Sequence, residues 1–143
     1  MNCIQNAAWV SVTPPAAIID NASATTTEVD TVQSGVKYNR ATFVIYIGAL
    51  DIAVTTCKVQ ESDTSGSGFA DITGATVSIT DTDDNKIFVI DIDLRGRKRY
   101  LDLVLTLGNG TLGTYVSAHC VLTGAAEAPN TATLRGLGGQ AIV

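Results

Sequence analysis

The sequence predicts an all-β protein, an antiparallel β-sandwich of jelly-roll-like type with about eight strands and with extended N- and C-terminal arms. Three observations predict it. Apolar residues recur at every second position, as in Leu101, Leu103, Leu105 and Leu107, which a strand gathers onto one face and a helix scatters around its circumference. Turn residues interrupt such runs roughly every ten to twelve positions. No segment carries a helical period.

At 143 residues the chain fits one domain, long enough to bury roughly two-thirds of the surface that its unfolded form exposes. We divide it into an N-terminal arm or edge strand over 1–15, a sandwich over 16–123 and a C-terminal arm over 124–143. Hydrophobic residues make up 45% and charged residues 16%, the latter below the roughly 25% usual for soluble domains. So few charges suggest that more of the surface than usual is covered. The net charge of -5 argues against a nucleic-acid sleeve, because counterion release needs a basic face. No nucleic-acid partner is expected.

Cys3, Cys57 and Cys120 lack the spacing of a zinc site or a disulfide framework. Cys57 and Cys120 are expected to be buried as small apolar residues. No Lys or Arg precedes Lys37, so the basic region of a secretory signal is missing, and no apolar run approaches membrane-spanning length. A soluble protein made in a reducing compartment is expected, with no membrane partner.

Taken in order, Ala8 to Val12 alternates around Trp9 and stops at Pro14-Pro15, whose missing donors exclude a central strand. Ala16 to Asp20 extends again, and Thr25 to Val32 is expected to be a half-exposed strand. Gln33 to Arg40 turns around Gly35. The stretch ATFVIYIG is apolar on both faces, Phe43, Ile45 and Ile47 on one and Val44 and Tyr46 on the other, so it is central to a sandwich or lies at a subunit interface. Ala49 to Glu61 reads as one long bent strand with a bulge near Thr55-Thr56. SDTSGSG is a turn, and Phe69 to Thr80 gives two short pieces broken at Gly74. Phe88, Ile90, Ile92 and Leu94, then the four leucines, then Val116, Ala118, Cys120 and Leu122 mark three successive strands joined by RGRKR and GNGTLG. They are expected to form an antiparallel meander.

The C-terminal stretch AAEAPNTATLRGLGGQAIV ends on apolar Ala141, Ile142 and Val143. It is either a frayed tail or an arm that docks its apolar end on a neighbour.

Five constellations bear on chemistry. Gly108 to Gly113 spells G-x-G-x-x-G, but the next residues, TYVSAHCVL, alternate as a strand, whereas dinucleotide binding needs a helix there. A hairpin turn is expected, and no cofactor. Asp81, Asp83 and Asn85 begin like a calcium loop, but Lys86 and Ile92 stand where glycine and glutamate are required, so an acidic turn and no metal site is expected. His119 is the only histidine and no G-x-S-x-G is present, so no catalytic residue is assigned and no enzyme is expected. Asp91 and Asp93 are explained by facing solvent or the basic residues of RGRKR. Arg95, Arg97, Lys98 and Arg99 are four of the nine basic residues. They form either a local anchor for an anionic surface or a solvated turn paired with Asp91, Asp93 and Asp102.

SDTSGSGFADITGA, DDNKIFVIDIDLRGRKRYLDLVLT, GNGTLGTYVSAHCVL and EAPNTATLRGLG together resemble small virion proteins of tailed bacteriophages, the capsid decoration or cement proteins. The similarity runs over most of residues 8–138, and its motifs are turns and strands rather than reactive groups. It implies a jelly-roll subunit that assembles as a homotrimer on the outside of the icosahedral shell and bridges neighbouring copies of the major capsid protein, after assembly in the bacterial cytoplasm. It names no catalytic residue. Trp9, Tyr46, Arg95, Arg97, Lys98, Arg99, Arg135, Ile142 and Val143 are the candidate contacts to the capsid or to other subunits. The alternative is a virion-displayed module that binds a host surface or carbohydrate, which the low aromatic content of 6% weakens.

Overall fold

The computed structural model describes residues 6–18, 21–125, 133–139 and 141. Ten strands make it all-β: β1 (Ala8–Ile18), β2 (Val29–Asp30), β3 (Val32–Gln33), β4 (Val36–Lys37), β5 (Arg40–Ile47), β6 (Val54–Ser62), β7 (Ala70–Thr76), β8 (Ile87–Asp93), β9 (Tyr100–Leu107) and β10 (Thr114–Thr123). Two four-stranded sheets have the orders β1-β10-β5-β8 and β2-β9-β6-β7, and every pairing is antiparallel. Leaving out the small β3–β4 hairpin, the remaining strands in chain order run first-eighth-third-sixth in one sheet and second-seventh-fourth-fifth in the other. That interleaving is the jelly roll.

Period-two alternation builds the core directly. Leu101, Leu103, Leu105 and Leu107 are buried, as are Phe43, Ile45 and Ile47 on β5, Ile90 and Ile92 on β8, and Val116, Ala118, Cys120 and Leu122 on β10. All belong to one apolar cluster. Cys57 and Cys120 are buried free thiols within it, and desolvation pushes Cys57 up to about 12. Neither is a reactive thiolate at neutral pH.

The expected meander is corrected. β8 and β10 lie in one sheet and β9 in the other, so RGRKR and GNGTLG each cross from sheet to sheet instead of closing a hairpin. Both sheets point their apolar faces into the same core, so an inward leucine carries no mark of the sheet it belongs to.

Other differences are local. β1 runs on through Pro14 and Pro15, which fall in a register shift between Thr13, opposite Ala118, and Ala16, opposite Val116. An edge strand with a bulge tolerates them because no ladder donor is needed there. The expected strand at Thr25 to Val32 shrinks to β2, while Ala24 N–H donates to the Leu105 carbonyl and Thr27 N–H to the Val12 carbonyl. That last bond ties the margin of one sheet to the other. β6 starts only at Val54, with its register shift between Val54 and Thr56, where the bulge is expected. Ser34 and Gly35, both at positive φ, make the tight turn between β3 and β4.

Part of the C-terminal arm folds back on its own chain. Thr133–Arg135 forms a 3-10 turn beside β1, with Arg135 buried at 2% exposure. Gly136 comes next at φ 73, and a Cβ there would overlap the Trp9 carbonyl oxygen. Two constraints, handedness and space, therefore require glycine at this point. Gly136→Ala is expected to weaken the docking of this turn by about 1–2 kcal/mol. Limited proteolysis should show cleavage beyond Gly124 accelerated several-fold while the sandwich stays intact.

Candidate functional site

The two outer faces of the sandwich differ in chemistry. On the β2-β9-β6-β7 sheet the outward residues are mostly polar and satisfy one another. Lys58 and Gln60 both bond Asp71 (2.8 and 2.7 Å), Thr26 donates to Asp102 (2.9 Å), and Ser23 and Thr106 share a hydrogen bond of 2.7 Å. On the β1-β10-β5-β8 sheet the outer face divides: at one end Arg40 and Thr42 bond Asp91 beside Asp93, and toward the other end the residues are largely apolar. In register across it, Ser11, His119, Val44 and Val89 form one row, and Ser117, Tyr46 and Ile87 the next. Tyr46, Ile87, Val89 and Tyr115 are 43%, 57%, 50% and 75% exposed. This is a contiguous unpartnered patch rather than scattered surface hydrophobes.

An aromatic row crosses that face. The His119 ring lies 5.6 Å from Trp9 and 5.9 Å from Tyr46, at interplanar angles of 32° and 29°. Trp9 on the edge strand and Tyr46 on the central β5 are thereby joined through β10. Trp9 Nε1 is buried without a hydrogen-bond partner. Burial among the rings holds the His119 pKa below its ordinary value, so the neutral imidazole is favoured.

The basic turn is neutralised within the subunit. Arg95 bonds Asp93 through Nε (3.0 Å), Arg97 reaches Glu61 at 3.4 Å, Lys98 lies 3.6 Å from Asp63, and Arg99 grips Asp30 at 2.9 and 2.8 Å while lying over the Tyr100 ring. The Arg99 hydrogen bond holds Asp30 below the usual carboxylate range, and that from Arg95 does the same for Asp93. Of the three acids expected as partners, only Asp93 serves. Asp91 is held by Arg40 and Thr42, and Asp102 by Thr26. These are surface pairs, exposed to solvent and screened by salt, so each is a weak contributor to stability. They bring β2, β6, β8 and the turn together more than they offer a cationic surface.

The glycine loop binds an anion, but the anion belongs to the chain. Asp51 accepts the backbone N–H groups of Thr111 and of Leu112 (2.8 Å), and these bonds hold its pKa low. A Cβ on Gly110 would stand 2.7 Å from an Asp51 oxygen. The loop therefore works as a nest for a carboxylate, and it feeds β10 rather than a helix. It joins strands of opposite sheets, which corrects the expected hairpin. In the acidic turn, Asp83 accepts the Thr80 N–H and hydroxyl (both 2.8 Å) and pairs with Lys86. Its pKa falls to about 2, chiefly through Lys86.

Of the residues singled out from sequence, Trp9 and Tyr46 meet on the apolar face, the four basic residues lie in the self-paired turn, and Arg135 is buried beside β1. Ile142 and Val143 lie outside the described residues. The face also takes in Val44, which the sequence places beside Tyr46, and His119, the surface or interface histidine expected from sequence, together with Ile87, Val89 and Tyr115, which sequence reasoning does not pick out as contacts. Their signal is an apolar or aromatic residue on the outward parity of a strand whose inward parity is already assigned. No helix among the described residues is long and apolar enough to cross a membrane.

Because the folded chain favours neutral His119, the unfolded chain binds more protons below about pH 6.5. Stability is therefore expected to be level above that pH and to fall as pH drops toward the lowered folded-state pKa. Urea denaturation between pH 7 and 5 should show this slope, and His119→Phe should remove it. No family model matches the chain, and no curated protein is significantly similar to it.

Proposed function

We propose that this chain is a structural virion protein, a decoration or cement subunit of a tailed-bacteriophage capsid. It assembles as a homotrimer on the capsid exterior and stabilises the expanded shell by bridging major capsid protein subunits. The observation that carries this is the asymmetry of the sandwich: one outer face is polar and internally bonded, and the other carries an exposed apolar, aromatic patch joined through Trp9, His119 and Tyr46. A face of that kind supports burial against neighbouring subunits, and a closed ring of heterologous contacts buries one such face per copy. The jelly-roll topology and the sequence resemblance point the same way.

Stabilisation would work by linkage. A clamp that binds the expanded lattice and not its disrupted form lowers the free energy of the former by mass action. A contact of roughly 1,600 Å², repeated over many sites, achieves this without high single-site affinity. The self-pairing of Arg95, Arg97, Lys98 and Arg99 moves weight from charge to apolar burial as the source of that contact.

A second reading rests on the same aromatics. Trp9, Tyr46 and Tyr115 on one face supply ring platforms of the kind that bind sugars, which supports a host-surface or carbohydrate-binding module on the virion.

Solution mass is expected to give a trimer, and Tyr46→Glu to weaken it by roughly tenfold or more, the effect of a charge in a buried interface centre. The protein should co-sediment with empty expanded capsids and not with unexpanded precursors. A stable monomer, or equal sedimentation with both, rejects the clamp; strong and competable binding on a glycan array favours the second reading.

A further inference from the structure

A sandwich of two four-stranded sheets has four edges, and a free edge is a template for another strand unless something blunts it. Three of these are blunted. β1 carries Pro14 and Pro15 in a register shift and is flanked by the 3-10 turn at Thr133–Arg135. β2 is two residues long, and the segment before it bonds both β9 and β1. β7 runs unbroken through Gly74, where two pieces are expected from sequence, but its pairing jumps from Asp71 opposite Gln60 to Thr76 opposite Lys58, with Gly74 at φ 84 inside the bulge.

β8 has none of these devices. Its seven residues pair with β5 in unbroken register from Arg40–Asp93 to Tyr46–Ile87. Leu94 N–H donates to the Asn39 carbonyl and Ile47 N–H to the Lys86 carbonyl, so the even residues of β8 bond β5. By antiparallel alternation the N–H and C=O groups of Ile87, Val89, Asp91 and Asp93 point away from β5. Among the described residues none of these backbone groups makes a hydrogen bond.

Beside that edge the sandwich is open. A cleft of about 340 Å³ separates β8 from β7, with Ile72, Ala75, Ile90 and Ile92 at its floor and Thr73, Thr76, Asp91, Asp93 and Arg97 among its exposed walls. Nothing lies within 4 Å of where a Gly74 Cβ would stand. The opposite side of the sandwich is drawn shut by the bond from Thr27 to Val12.

We propose that β8 is a strand-addition site, taking an extended segment of a partner protein whose cleft-side residues are small and uncharged, as valine and threonine are. Backbone pairing to Ile87, Val89, Asp91 and Asp93 supplies the registration, and the small side chains enter a cleft whose walls are both apolar and hydroxyl-bearing. A second copy's β8 fits poorly. Antiparallel registers centred on Val89 or Ile90 set Ile87 opposite Asp91 or Asp93, and one centred on Asp91 sets carboxylates against each other. The proposal uses the backbone edge and the cleft, not the aromatic face, and stands independently of shell binding.

Val89→Pro tests it, because that N–H faces the free edge and its loss leaves the β5 ladder intact. The probe is the synthetic peptide KVTVTVTK, added at millimolar concentration to the full chain with amide exchange read by NMR. At saturation, exchange at Ile87, Val89, Asp91 and Asp93 is expected to slow about tenfold, and in Val89→Pro the remaining three amides are expected not to respond. If that variant does not fold, Ile87→Pro at the first position of the strand replaces it. The proposal is overturned by no slowing at these amides, by slowing at β1 instead, by equal slowing in the proline variant, or by amides already protected in the free protein.

Discussion

The structure depends on a single shared apolar layer. Every long strand delivers alternate side chains to it: the four leucines of β9 from one sheet, Phe43, Ile45 and Ile47 of β5 and Cys120 and Leu122 of β10 from the other. Because that layer is dry, each strand's register is fixed to the residue, since a slip by one would carry its whole apolar set into solvent. The loops that cross between the sheets are a consequence of it. RGRKR and GNGTLG pass over the ends of the core, and each is held there by carboxylates of the chain itself.

That arrangement decides where the surface can act. Charged groups concentrated in turns are consumed in holding the turns: Arg99 on Asp30, Arg97 and Lys98 on Glu61 and Asp63, the glycine-loop amides on Asp51. Among the described residues, four of the five large exposed apolar side chains lie on the face of one sheet, Leu112 of the glycine loop being the fifth, and unpaired backbone groups line that sheet's β8 edge. The two call for different complements. A face is covered by another surface, whereas an edge is completed by an extended chain.

Several motif-like letter patterns lose their chemical sense for the same reason. G-x-G-x-x-G needs a helix dipole behind it, and here a strand comes after it, so its amides turn inward to a carboxylate. Asp91 and Asp93 share a face but each is gripped by its own arginine, which keeps both ionised. His119 is placed between two rings and disfavours its charged form.

The chain alone determined the β class, the positions and inward parity of β5, β8, β9 and β10, the buried cysteines and the bulge near Thr55, because each is written in neighbouring residues by the period of the backbone. Only the tertiary structure decided which strands pair, which carboxylate each basic residue meets, that Arg135 is buried against its own chain, and that Trp9, His119 and Tyr46 line up diagonally across successive rows of one face. Those are relations between residues far apart in the chain. Alternation tells a side chain to point inward, but two sheets around one core make inward the same instruction for both, and only packing distinguishes them.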